Sequence, residues 1–298
     1  MSERIEFYKN RSIGERLSVA IDFLKQNWKV LYKNILIGGF PLAIIMGYAM
    51  SQQIEMQTIN DLSKMLIFYP VLLLAGLVNV VYMYSMTGAI LHQYERNQLT
   101  ESTGWNDLKN TFFQFAGKTF LITLIIYIAL ILIVAIFFMI FGVSMYKSVF
   151  SDASSGFLMG FFFIILLLGV TIALAPSFIM LYFPAYFSGK RIWESIKVSF
   201  SLGFKHWGSL FVAILLAIIL IIIVYMVFSL PFQIASMFFM LKGSGANIFL
   251  YIFATLSAIG TLLSYPVMIV LFAFQYFSIV EQEEGVSLKS KMDEFENL

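Results

Sequence analysis

Residues 191–241 read RIWESIKVSFSLGFKHWGSLFVAILLAIILIIIVYMVFSLPFQIASMFFML, and this stretch decides the fold class. From Trp207 to Leu241 no side chain carries a charge. Bilayer hydrocarbon is about 30 Å thick and is crossed by about 20 apolar helical residues, so the run spans it with length to spare. The run lacks the two-residue alternation of a barrel strand, and lipid offers its backbone no partners, which leaves a helix. The segment in front of it differs in kind. Trp193, Ile196, Phe200, Phe204, Trp207 and Leu210 recur at three- and four-residue steps beside Arg191, Lys197 and Lys205. That is the pattern of a basic amphipathic helix lying in a membrane interface.

Working outward, five more apolar runs stand out: Leu31–Tyr48, Met65–Tyr94, Thr119–Tyr146, Gly156–Ser188 and Asn247–Val280. Six spans account for the composition, 60% hydrophobic and 12% charged with a mean hydropathy of +0.87, where a soluble domain holds about a quarter charged residues. The reading is an all-α polytopic membrane protein. The charged first thirty residues lack the apolar core of a signal peptide, so the N-terminus is expected in the mature protein. Sixteen of the nineteen Lys and Arg fall on the side of the termini, and only Lys64, Lys147 and Lys242 on the other. The positive-inside rule then places both termini in the cytoplasm of a bacterial inner-membrane protein. Outward loops are expected at 51–64, 147–155 and 242–246.

The basic segment recurs. SIGERLSVAIDFLKQNW (residues 12–28) precedes the first span, with Ile13 in register with Ile192, Glu15 with Glu194, Leu17 with Ile196 and Val19 with Val198. Its apolar stripe is Ile13, Leu17, Ala20, Leu24, Trp28 and Leu31, and Ser12 with Glu15 forms a capping box. WNDLKNTFFQFAGK (residues 105–118) precedes the third span, placing Trp105 on Trp193. The even spans repeat as well, since PSFIMLYFPAYFS (176–188) aligns with PVMIVLFAFQYFS (266–278). One membrane domain, 1–298, is thus divided into three pseudo-repeats of amphipathic helix plus helical hairpin, at about 12–100, 101–189 and 190–280, followed by an acidic tail at 281–298.

Chemistry-bearing constellations are sparse. There is no cysteine, and the two histidines, His92 and His206, lie far apart in the sequence. No nucleotide motif, metal-ligand spacing or nucleophile–base set can be assembled, so neither a cofactor nor an enzymatic activity is expected. The span interiors hold no charge; Asn79, Gln233 and Gln275 are their polar candidates, read as helix-packing groups. Pro41, Pro176, Pro231 and Pro266, with Pro70 and Pro184, are candidate kinks. The tryptophans Trp28, Trp105, Trp193 and Trp207 all lie in the basic segments and read as interfacial anchors. Gly156 with Gly160 and Ala254 with Ala258 have the four-residue spacing of helix-packing pairs.

Three two-helix repeats are similar to mitochondrial carriers, but those carriers have a charged motif after the odd-helix proline, where Pro41 is followed here by LAIIMG and Pro231 by FQIASM. The segments IWESIKVSFSLGFKHWGSLF (192–211) and FQYFSIVEQEEGVSL (274–288) resemble instead the membrane region attached to some bacterial glycerophosphodiester phosphodiesterases and its related six-span proteins. The resemblance implies a fold and a membrane location without a catalytic domain, and a place in larger complexes with membrane proteins and MoxR-type ATPases. The expected function is a non-catalytic scaffold or assembly subunit that contacts protein partners and anionic lipid headgroups, and no nucleic acid. The alternative is a transporter or channel for a lipid or other hydrophobic small molecule.

Overall fold

The computed structural model describes residues 4–59, 62–151, 153–242, 248–287 and 292. The chain is an all-α polytopic membrane protein, with six helices long and apolar enough to cross a bilayer. In chain order the helices are α1 (Ile13–Ile59), α2 (Leu62–Glu95), α3 (Trp105–Ser151), α4 (Ala153–Met180), the short α5 (Tyr182–Phe187), α6 (Ile192–Lys205), α7 (Trp207–Lys242) and α8 (Ile248–Glu284).

Local sequence explains most boundaries. The capping box starts α1: Ser12 N–H donates to Glu15 Oε2 at 2.7 Å, and Glu15 N–H to Ser12 Oγ at 3.4 Å. Half of the same device starts α3, where Gly104 N–H donates to Asp107 Oδ2 at 2.9 Å. At the far end Gly285, with φ +57°, closes α8. The break between α4 and α5 follows from Pro184, which has no N–H to offer the carbonyl of Met180 four residues earlier. By contrast, Pro41, Pro70, Pro176, Pro231 and Pro266 all lie inside continuous helices.

Two expectations need correction. The basic segments before the first and third spans are not separate helices, because α1 and α3 each run 47 residues through segment and span, a length of roughly 70 Å. No residue leaves the helix at either junction, whereas His206, off helical geometry, separates α6 from α7. The loops expected at 51–64 and 147–155 are largely helical as well, since α1 reaches Ile59 and α3 reaches Ser151. Ser51 to Gln57 reads SQQIEMQ, polar but free of Gly and Pro, and Gln, Glu and Met are good helix formers. The third expected loop, 242–246, lies outside the described residues after Lys242, as do most of the tail residues beyond Ser287.

The chain divides into two compact units, residues 1–119 with 212–298 and residues 120–211. These limits differ from the repeat limits because each basic segment packs on an even-numbered span other than its own hairpin's. In the larger unit the start of α1 lies on α8, and Thr119 of α3 meets Ser85 of α2, oxygen to oxygen at 3.0 Å. In the smaller unit α6 lies on α4 and α5. The larger unit is centred on α8, in which every residue from Ile269 to Val280 is buried. Such a run can form only in a helix surrounded on all sides.

Close approach is set by single glycines. A Cβ on Gly47 of α1 would stand 2.5 Å from Thr255 Cα of α8, and one on Gly203 of α6 would stand 2.7 Å from Ser177 Cα of α4. Ala254 and Ala258 are buried on α8 as their spacing suggested, while Gly156 and Gly160 lie in α4 at positions whose side-chain surroundings are not among the described ones. Gly47→Ala and Gly203→Ala should each destabilise the detergent-purified protein by about 1–3 kcal/mol, because backbone must move. Gly76→Ala, where no atom lies within 4 Å of the added carbon, should be neutral or mildly stabilising in the same thermal unfolding measurement.

Candidate functional site

Polar groups gather at the charged ends of α1, α2 and α8, and the residues before α1 bring them together. Residues 4–12 form an extended clasp across these ends. Arg4 Nη2 donates to the Tyr94 and Glu95 carbonyls at 2.5 and 3.0 Å, capping α2 with a positive charge where the helix dipole is negative. Ile5 N–H donates to the Tyr94 hydroxyl at 3.0 Å. Phe7, buried, stacks on Tyr94 and Phe277 with centroids 5.5 and 4.6 Å away and meets Phe23 and Phe274 edge-on. Tyr8 packs on Phe277, and burial, then the charge of Glu95, hold its phenol above the ordinary range.

Behind the aromatic cluster the clasp turns polar. Arg11 N–H donates to Ser278 Oγ at 3.1 Å, and its guanidinium donates back to the Glu6 and Phe7 carbonyls. Burial lowers the Arg11 pKa from its usual value. Arg16, 4% exposed, donates from Nε to the Arg11 carbonyl at 2.8 Å and from Nη1 to Gln275 Oε1 at 2.9 Å. A buried guanidinium is tolerated where such acceptors meet it.

The three intramembrane polar residues do not converge on shared partners. Gln275 serves Arg16. Asn79 is buried on α2 with its Oδ1 unpartnered, and Gln233 is exposed on α7, donating to Ser229 Oγ at 3.1 Å. Among the described residues no group of His, Asp and Glu is arranged to hold a metal.

Sequence reading missed the clasp, because residues 4–11 were weighed only for charge. It read the apolar stripe of α1, Ile13, Leu17, Ala20, Leu24, Trp28 and Leu31, as the membrane-facing side of an interfacial helix. The protein-facing positions are Arg16, Ala20, Phe23, Val30, Leu31 and Asn34, while Leu17 and Leu24 are half-buried and Trp28 is 54% exposed. A Phe7–Tyr8 pair isolated among charges, with Arg16 in phase with Ala20 and Phe23, was the available signal.

In α6 the buried positions are Ser195, Ser199 and Gly203. Ser195 and Ser199 correspond in register to Arg16 and Ala20. The bulky residues therefore point away from protein: Trp193 is 67% exposed and Phe204 55%, with exposed Lys197 and Lys205 alongside. Trp105 is partly exposed, and Trp207 donates from Nε1 to the Ala173 carbonyl at 3.2 Å while stacking on Phe211. A second feature is a groove of about 430 Å³ between α7 and α8, lined by Ile221, Tyr225, Thr261, Ser264, Tyr265 and Met268.

No family model, curated protein or solved structure matches the chain.

Removing the carbonyl that receives Arg16 should be costly. Gln275→Leu should lower stability by about 1.5–3 kcal/mol, the value of a hydrogen bond to a charged group. Gln233→Leu should change it by under about 0.5 kcal/mol, since that residue is exposed. Thermal unfolding of both variants in one detergent makes the comparison.

Proposed function

We propose that the protein is a non-catalytic scaffold or assembly subunit of the bacterial inner membrane, with both termini in the cytoplasm. The observation that carries this reading is the outward face of α6. A helix that turns Ser195, Ser199 and Gly203 to its own protein and Trp193, Phe204, Lys197 and Lys205 away from it is built to rest on an anionic leaflet. The exposed Trp28 beside Lys25 and Lys29 repeats the arrangement on α1. The buried charges, Arg11 and Arg16, tie the clasp together, where an enzyme or ion-coupled carrier would keep such groups facing a substrate path. The likeness to the phosphodiesterase membrane region fits a membrane module without chemistry of its own, with other membrane proteins as partners.

The groove between α7 and α8 favours a second reading, passage of a lipid or other hydrophobic molecule, because two tyrosines and two hydroxyl side chains line it within the spans. Reconstitution separates the two. Vesicles containing the scaffold should flip fluorescent phospholipid no faster than protein-free vesicles, and gentle extraction from the native membrane should keep stoichiometric membrane-protein partners. Flipping several-fold above the control would establish the second reading instead.

Orientation is tested independently with single cysteines. At Gln57, Ser151 or Ser244 they should react with an impermeant thiol reagent outside intact cells, and at Ser102 or Ser287 they should not; the reverse pattern would invert the topology.

A further inference from the structure

The turn from α2 into α3 and the adjoining part of α1 enclose a recess of about 280 Å³, with Trp28 and Lys29 on one wall and Thr100 and Glu101 on the other. Both charged residues are exposed. Among the described residues neither makes a hydrogen bond or ion pair, so two opposite charges face one cavity without neutralising each other.

The loop wall is ordered in advance. Asn97 takes the left-handed conformation at φ +62°, and Gln98 N–H donates to the Gln93 carbonyl at 2.9 Å, which closes α2 with a C-terminal cap. Thr100 N–H donates to Thr103 Oγ1 at 2.9 Å, Thr103 N–H returns to the Thr100 carbonyl at 3.0 Å, and the Thr100 and Ser102 hydroxyls are 2.9 Å apart. Buried Asn34 of α1 donates from Nδ2 to the Thr103 carbonyl at 3.2 Å, fixing loop to helix. A wall stapled in this way loses little freedom when a ligand arrives.

The chemistry of the walls selects the ligand. Lys29 takes an anion and Glu101 a cation, so the complementary group carries both charges on one short headgroup. Trp28, an exposed indole beside them, marks the depth at which lipid headgroups lie. A primary ammonium can donate hydrogen bonds to the Glu101 carboxylate and the Thr100 hydroxyl. A quaternary ammonium has none to donate and is held by cages of several aromatic faces, of which the recess supplies one.

We propose that this recess binds the phosphoethanolamine headgroup of a membrane aminophospholipid, phosphate to Lys29 and ammonium to Glu101. The proposal rests on the reading above only in placing this end of α1 at the bilayer surface. It is distinct from the anionic-lipid contact of α6.

The test is thermal unfolding of the full-length protein in detergent with added phosphatidylethanolamine, phosphatidylcholine or phosphatidylglycerol of identical acyl chains. Phosphatidylethanolamine should raise the Tm by about 3 °C or more above phosphatidylcholine. Glu101→Gln, at an exposed position, should abolish that difference while keeping the rise given by phosphatidylglycerol, and Lys29→Gln should abolish the difference as well. Equal Tm values with the two zwitterionic lipids, or a difference that survives Glu101→Gln, would overturn the proposal. A wild-type protein indifferent to phosphatidylglycerol but responsive to phosphatidylethanolamine would sink the α6 contact and leave the recess supported.

Discussion

The buried guanidinium of Arg16 is the constraint on which the larger unit depends. A charge at 4% exposure needs acceptors fixed around it, and two of them, the Arg11 carbonyl and Gln275 Oε1, come from opposite sides of the contact between the clasp and α8. Satisfying Arg16 therefore fixes the path of residues 4–12, which in turn places Phe7 among Phe23, Tyr94, Phe274 and Phe277. The same path brings Arg4 to the carbonyls that end α2. One polar contact and one aromatic cluster thus hold three membrane helices at a common level, around a stretch of α8 buried on every side.

Comparison of the first and third basic segments shows how related sequence is used for two purposes. Arg16 and Ser195 occupy matching register positions and both are buried, yet one carries a charge to Gln275 while the other is a small residue whose hydroxyl donates to the Arg191 carbonyl at 3.0 Å. The consequence differs in kind. In α1 the segment is bound into the unit by a polar lock; in α6 the Ser–Ser–Gly face allows close backbone approach, and the bulky aromatic residues are left for the surroundings.

Much of the fold was legible because membrane helices obey simple constraints. Apolar runs of 18 residues or more located the spans, and Ser12 with Glu15 located the start of α1 by cap chemistry that acts within a few residues. The loops expected at 51–64 and 147–155 were misread because polarity was taken for irregularity, although SQQIEMQ contains nothing that ends a helix. The candidate site was less legible. Gln275 could be flagged as polar, but its partner lies 259 residues away, a pairing that periodicity along one helix cannot reveal. The burial of Arg16 was illegible for a related reason, since tertiary packing, not periodicity, decides which positions of α1 face protein.

Hydrogen exchange of the protein in lipid nanodiscs tests the clasp most directly. If residues 4–12 lock the ends of α2 and α8, the amides of Ile5, Arg11 and Ser12 should exchange on the slow timescale of the inner half of α8, and Gln275→Leu should release them together. Fast exchange of these amides in the unaltered protein, with α8 still protected, would contradict the account.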